Sequence, residues 1–186
     1  VGAAGELPLW QAYADVTGLV RGGGAGTWWL AAAESGLPTG RGASAGWSLT
    51  VVYAHPDVPR RDLAVFTDPV SLTEHSPRSM TTDARGGRVE IGLVVWEGDR
   101  RLTGDSLRLA GEPLGDPDNL AASRAAGAVE CGGAPPRECD WHTFGVDVAR
   151  YRGPAGPGPD GGPVILRTRS DQLGLGVVAL AVEPPR

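Results

Sequence analysis

The sequence predicts an all-β fold: an antiparallel, jelly-roll-like β-sandwich of about nine strands. Apolar and polar residues alternate along residues 46–53 and again along 89–96. Because successive side chains of an extended chain point to opposite faces, this period of two is typical of a strand with one buried face. Between such segments fall 29 Gly and 16 Pro residues, which favour turns and long loops. No long helical pattern interrupts the strands, and the spacing favours a sandwich over a closed barrel.

The N-terminal part of the chain is predicted to hold a short helical turn and several strands. Residues 12–20 are typical of a strand that runs into a helical turn, which Asp15 or Thr17 would cap and the glycines at 22–24 would end. Residues 71–88 are polar and are interpreted as irregular. The strands predicted in this part are 27–31, 46–54 and 63–67.

The C-terminal part continues the strand pattern around one irregular region, residues 112–140. Residues 119–127 are predicted to form a short helix, capped by Asp118 or Asn119. Residues 153–163 are almost pure Gly and Pro and are interpreted as a loop, so that residues 1–186 form a single domain. The strands predicted in this part are 89–97, 106–109, 142–150, 164–169 and 175–182.

The predicted core consists of apolar side chains on the buried faces of these strands. They are Trp47, Leu49, Val51, Tyr53, Val65, Ile91, Leu93, Val95, Phe144, Val146, Leu166 and Val177.

Composition excludes several functional classes. All 17 basic residues are Arg, so no reaction that needs a lysine amine is expected. The formal net charge is −5 and the Arg residues are scattered, so nucleic acid is not an expected partner. No apolar run reaches the roughly 20 residues needed to cross a bilayer, so membrane insertion is not expected.

The two cysteines, Cys131 and Cys139, are separated by Gly-Gly and Pro-Pro. Such a turn would bring the sulfurs together, and a disulfide would indicate an oxidising, extracellular setting. Two alternatives remain open: a pair of free thiols, or a zinc site that also uses His142, although this spacing matches no common zinc motif.

Several segments occur in a distinctive order: Ala-Asp-Val-Thr-x-Leu-Val at 14–20, a Gly-Thr-aromatic segment at 26–29, Ala-Gly-Trp-Ser-Leu-x-Val-Val-Tyr at 45–53 and a Val-Phe segment at 63–67. Glu-Gly-Asp at 97–99 and Leu-Thr-Gly-Asp-Ser-Leu at 102–107 follow them. This order resembles a poorly characterised secreted β-sandwich domain of actinobacteria, found in large cell-surface and adhesin-like proteins. The resemblance implies an extracellular structural or adhesive role and brings no catalytic residues. This chain departs from the family in its lack of Lys and in its cysteine-bearing insertion.

Six Trp residues are many for this length. An exposed Trp can stack on sugar rings or anchor a neighbouring protein. Trp28 and Trp29 are adjacent, so that on a strand one would face inward and the other outward. The candidate contact residues are Trp10, Trp28, Trp29 and Trp141.

Asp116, Asp118 and Asn119 place oxygen ligands in one loop, which suggests a calcium site. Because Ca²⁺ takes six to eight oxygens, other loops would have to contribute, and Asp99 and Asp105 are the candidates. The alternative is a turn capped by these side chains.

The residues Gly-Asp-Ser-Leu at 104–107 match the signature of a family of serine esterases, with Ser106 as the nucleophile. The residues after Ser106 alternate like a strand, whereas the signature requires a helix there. No Asp-x-x-His follows, and a nucleophile needs a positioned base. The histidines, His55, His75 and His142, lie in or beside predicted loops and have no metal-binding spacing.

We therefore expect a secreted, non-enzymatic structural or adhesive module of a bacterial surface or extracellular assembly, with no cofactor unless calcium binds. Its partners would be extracellular proteins, including copies of itself that pair through exposed strands at the N-terminal segment or at residues 175–182. The alternatives are a carbohydrate-binding module that uses exposed Trp and, with less support, a serine esterase.

Overall fold

The computed structural model describes residues 10–31, 46–81, 87–124, 145–154, 161–170 and 172–183. In these ranges the chain forms one short helix and nine strands. The elements are α1 Thr17–Gly23, β1 Asp62–Phe66, β2 Val70–Leu72, β3 Arg78–Thr81, β4 Arg88–Trp96, β5 Ser106–Leu109, β6 Glu112–Leu114, β7 Val146–Pro154, β8 Pro163–Arg167 and β9 Leu173–Val182.

The strands form two antiparallel sheets, which confirms the predicted all-β sandwich. One sheet has the order β1-β9-β4-β7, with β2 also paired to β9. The other has the order β3-β8-β5-β6. In the register of β4 and β9, Val94 pairs with Val177 and Val95 with Leu175, so Gly176 is the extra residue of a β-bulge.

The core lies between the two sheets and is built from alternate residues of the long strands. In β4 the residues Ile91, Leu93 and Val95 are buried there, as predicted, and Leu166 of β8 is buried opposite them. Further core side chains come from both sheets: Val89, Leu107, Leu109, Val164, Leu173, Leu175, Val178, Leu180 and Val182.

Five predicted strands are confirmed within two residues, as β1, β4, β5, β8 and β9. The strand predicted at 142–150 is found four residues later, as β7. The helical turn is also present and ends at Gly23, but its N-cap is Val16, which makes no side-chain capping bond. The backbone N–H of Thr17 donates to Oδ1 of Asp15 at 2.9 Å, and residues 12–16 form no strand.

The prediction for residues 46–54 is wrong, because this segment forms no strand in the structure. Trp47, Val51 and Tyr53 are exposed instead of buried, and Leu49 is only half-buried. Alternation specifies which side chains share a face, but a strand also needs a neighbour for its backbone hydrogen bonds. No described strand pairs with these residues.

Other predictions are corrected more locally. Residues 27–31 form no strand, and the described part of the predicted helix, residues 119–124, is not helical. Val65 is exposed, while Val146 and Val177 lie half-buried on the outer face. Phe144 lies outside the described residues. The short strands β2, β3 and β6 were not predicted, because each has only three or four residues.

Candidate interaction surfaces

The N-terminal segment is attached to the outer face of the five-stranded sheet through Gln11. Its Nε2 donates to the carbonyl oxygens of Thr67 and Gly176, both at 2.9 Å. Its Oε1 accepts a hydrogen bond from the indole Nε1 of Trp96 at 3.1 Å. Gln11 thus satisfies a carbonyl at the β-bulge of β9 and fixes the last side chain of β4.

Residues 46–58, which we call the outer segment, begin beside Trp96 at the C-terminal end of β4. A Cβ at Gly46 would lie 2.9 Å from the ring of Trp96 and 3.0 Å from Val146, and both of these side chains point outward. At the far end of β4, Arg61 binds Glu90. Residues 46 and 61 therefore lie near opposite ends of β4, which are about 20 Å apart along six strand residues.

The outer segment and β1 expose an unusual amount of apolar surface. Tyr53 is 74% exposed and Leu63 is 53% exposed. All five residues of β1 are exposed, and β1 ends the order of its sheet. We call this set the apolar edge surface; its members are Trp47, Val51, Val52, Tyr53, Val58, Leu63, Val65 and Phe66.

The proposed edge at residues 175–182 is not available for pairing. These residues belong to β9, which pairs with β4 on one side and with β1 and β2 on the other. Since β9 is an inner strand, the order of this sheet ends at β1 on one side and at β7 on the other. The sequence could not show this, because a strand's place in a sheet depends on residues far away in the chain.

The candidate tryptophans have different environments. Trp29 is 90% exposed and Trp10 is 64% exposed. The ring of Trp28 lies over α1, since a Cβ at Gly23 would be only 2.7 Å from it. Trp141 lies outside the described residues. Sequence reasoning did not single out Tyr13, which is also exposed and is close in sequence to Trp10.

A charged cluster stands at the opposite end of the outer face. Glu90 accepts hydrogen bonds from Arg61 Nη1 at 2.8 Å and Arg152 Nε at 2.9 Å, and also from Arg150. Burial alone would raise the pKa of Glu90, but the guanidinium groups of Arg152, Arg150 and Arg61 outweigh it and hold this pKa below its usual value. Arg61 also lies 3.7 Å from Glu183. The cluster joins β4 and β7 to Arg61, which directly precedes β1.

The outer face of the four-stranded sheet carries a concave pocket of about 330 Å³, which we call the basic pocket. Ser106, the esterase candidate, lines it from the first position of β5. No histidine is among the described residues that line it. The lining residues are Glu74, Pro77, Ser106, Arg108, Pro117, Arg167, Thr168 and Arg169.

The loops that carry the calcium candidates do converge. Asp105 and Asn119 form an isolated parallel bridge, and Nδ2 of Asn119 lies within 3.4 Å of the carbonyl oxygens of Asp99 and Arg100. Asp105 is fully buried.

The two other carboxylates of this loop have protein partners. Oδ1 of Asp116 accepts the backbone N–H groups of Asp118 and Asn119 at 2.9 and 3.0 Å, which lower the pKa of Asp116. Asp118 pairs with Arg169. These contacts are those of a capped turn, the alternative to calcium. In the part of the chain that the structure describes, no three His, Cys, Asp or Glu side chains are grouped closely enough to hold a metal.

Asp147 is the centre of a buried polar cluster that sequence reasoning missed. Its carboxylate accepts the backbone N–H groups of Ser123 at 3.1 Å and Arg124 at 2.7 Å. Ser123 Oγ in turn donates to the carbonyl of Gly98 and accepts from the N–H of Gly145. Burial raises the pKa of Asp147, and the backbone hydrogen bonds oppose this only in part. The cluster joins three loop segments to β7.

Some candidates cannot be placed. Cys131, Cys139 and His142 lie outside the described residues, so the predicted disulfide and the zinc alternative stay predictions. His55 and His75 lie in described loops with exposed side chains, each beside a neighbouring carboxylate. Within the described ranges, no helix is both long and apolar enough to span a bilayer.

Comparison with known proteins adds no family to this description. Neither the scan against protein-family models nor the searches among curated proteins and solved structures found a match to this chain.

Proposed function

We propose that this chain is a secreted, non-enzymatic structural or adhesive module that associates with copies of itself in a bacterial cell-surface or extracellular assembly. The observation that carries the proposal is the apolar edge surface. Residues 46–53 of this surface have no described strand partner, and β1 is an edge strand whose five residues are all exposed.

The physical argument rests on what an exposed strand edge does. On its outer edge β1 pairs with no strand among the described residues, and such an edge is a template for strand addition by another chain. Soluble monomers rarely expose contiguous apolar patches larger than a few hundred Å². Residues 46–53 have the alternation of a strand but pair with no described strand. A second copy of the chain can supply that backbone pairing.

The experiment compares two matched leucines. Leu63 on β1 is 53% exposed and Leu102, in a loop outside the apolar edge surface, is 43% exposed. The wild type, Leu63→Glu and Leu102→Glu are run through size-exclusion chromatography with light scattering between about 1 and 500 µM. We expect association in the wild type and in Leu102→Glu, and a monomer in Leu63→Glu, because a charge on the edge strand opposes pairing.

Two results would contradict this proposal. One is a monomeric wild type over the whole concentration range. The other is equal behaviour of the two leucine variants, because association would then not involve β1.

A second candidate function is carbohydrate binding through an aromatic platform. It is favoured by the exposure of Trp29, at 90%, together with Trp10 and Tyr13. Trp29→Ala should abolish any signal on a glycan array while leaving the fold intact, since the ring packs on little. An array on which the wild-type protein binds no glycan removes this candidate.

The absence of enzymatic activity is also open to test. A serine hydrolase would be labelled at Ser106 by a fluorophosphonate probe, whereas the proposed module would not. Ser106→Ala is the control, because labelling at any other serine would persist in it.

A further inference from the structure

The basic pocket combines size with concentrated positive charge. In the sheet register Ser106 of β5 lies opposite Arg167 of β8, so their side chains are neighbours on the outer face. Arg108 follows on the same face two residues later. At about 330 Å³, the pocket is near the lower end of the range for small-molecule sites, about 300–1,000 Å³.

The charge of the pocket is not balanced by its walls. Three arginines line it, against the single carboxylate of Glu74, and Glu74 lies 3.0 Å from Nε2 of His75. Arg169 pairs with Asp118.

Neither of the other two guanidinium groups forms an ion pair with an acidic side chain that the structure describes. Arg108 donates to a neutral acceptor, the carbonyl of Gly111, at 2.8 Å. Arg167 makes no ion pair with any described residue. This excess of positive charge occurs in a chain whose formal net charge is −5.

We propose that the basic pocket binds a small organic anion, a molecule no larger than about one sugar unit that carries a carboxylate or a phosphate. Guanidinium groups present donors in a planar fork that matches the oxygens of either group. Arg108 and Arg167 bind the anionic group, and the hydroxyl of Ser106 lies beside it as a further donor. This site is on the four-stranded sheet and is independent of the apolar edge surface.

The test uses four defined probes at low ionic strength: glucuronate, glucose 6-phosphate, glucose and inorganic phosphate. Binding is followed by isothermal titration calorimetry and by the amide NMR signals of β5 and β8. We expect saturable binding of glucuronate or of glucose 6-phosphate, and the better of the two identifies the anionic group. Glucose should not bind, and added salt should weaken the complex because it screens the charges.

Variants locate the site. Arg167→Gln and Arg108→Gln should each weaken binding about tenfold or more, because each removes a hydrogen bond from a charged donor. Arg21→Gln, which removes an exposed arginine on α1, should leave the affinity unchanged. Leu63→Glu should also leave it unchanged, so failure of the self-association proposal and failure of this one are distinguishable.

Several results would overturn the inference. They are no binding of either organic anion up to about 10 mM, equal binding of glucose, binding of inorganic phosphate as tight as that of glucose 6-phosphate, or equal loss in Arg21→Gln and Arg167→Gln. Thermal unfolding of each variant shows that it is folded.

Discussion

At the scale of single residues, Gly98 is fixed by the buried carboxylate of Asp147. A Cβ at position 98 would overlap Oδ2 of Asp147 and lie 3.0 Å from the carbonyl oxygen of Ala121. Gly98→Ala should therefore lower the free energy of unfolding by about 1–3 kcal/mol, as overpacking of a buried site does. Urea denaturation measures this change.

The matched control is Gly26→Ala, since nothing lies within 4 Å of a Cβ at Gly26. This variant should be neutral or slightly stabilising, because Ala restricts the unfolded chain. Equal stabilities for the two variants would show that Asp147 does not occupy the position described.

Asp147 also gives the protein a pH dependence of known sign. Its pKa is raised by burial above the unfolded value near 3.8, so the protonated form favours folding. Its contribution to stability is fully present below pH 3.8 and is lost as the pH rises through the raised pKa. The free energy of unfolding of the wild type minus that of Asp147→Asn should decrease over this interval and then level off.

Denaturant titrations at a series of pH values give this difference, in which the other titrating groups largely cancel. A difference that increases with pH would contradict the assignment of burial as the dominant effect.

Glu90 should show the opposite sign. Its pKa lies below the unfolded value near 4.5 because three arginines bind it, so its contribution is present above pH 4.5 and is lost as the pH falls through the lowered pKa. At pH 7, Glu90→Gln should cost about 1–2 kcal/mol, since three partly exposed pairs contribute a few tenths to one each.

Glu183→Gln is the control for this cluster, because Glu183 has a single, longer contact with Arg61, at 3.7 Å. We expect a loss below about 0.5 kcal/mol for it. Denaturation at pH 7 and pH 3 compares the two variants. If Glu90→Gln lowers the free energy of unfolding as much at pH 3 as at pH 7, the lowered pKa of Glu90 is contradicted.

Asp147 also shows where residue-level prediction failed. Alternation along residues 142–150 predicted that Phe144 and Val146 belong to the core, whereas Val146 points outward and Asp147 points inward. The usual rule that the apolar face is buried did not apply, because backbone N–H groups from a distant loop satisfy the carboxylate. No local pattern encodes that loop.

At the scale of elements, strands with a long apolar face could be predicted from sequence. Buried and less buried residues alternate over 88–93 in β4 and over 176–182 in β9, which gives enough repeats to recognise a period of two. The strands β2, β3 and β6 have too few residues for a period to be read. β2 and β3 are defined by pairing with β9 and β8, which lie far away in the chain. β6 is defined by a short hairpin with β5.

The segment 46–53 has the strand pattern without a described partner. If a second copy completes it as an edge strand, only alternate N–H groups point toward that partner. Proline removes an N–H group, so one of Val51→Pro and Val52→Pro should abolish association while the other preserves it. Both residues are exposed, and neither substitution should change the stability of the monomer by much.

Sedimentation velocity of the two proline variants checks this prediction. If both variants associate like the wild type, the segment does not pair through its backbone. If both lose association to the same degree, side-chain contact rather than strand pairing holds the copies together.

At the scale of the whole molecule, the two outer faces of the sandwich differ in character. The five-stranded sheet carries apolar, strand-forming surface, which is suited to contact with another protein chain. The four-stranded sheet carries the basic pocket, which is suited to a small anion. The sequence predicted the sandwich, but it could not predict the pocket, because Arg108 and Arg167 become neighbours only through the pairing of β5 with β8.

Self-association should make thermal stability depend on protein concentration, because only the folded chain presents the apolar edge surface. By mass action, a partner at about 100 times its dissociation constant stabilises the folded state by about 2.7 kcal/mol. For a domain of this size that corresponds to a rise in Tm of about 5–10 °C. Differential scanning calorimetry between about 5 and 500 µM should show this rise in the wild type and in Leu102→Glu, and a flat Tm in Leu63→Glu. A wild-type Tm that does not change with concentration would mean that folding and association are not coupled, and the exposed β1 edge would then have to serve a different partner.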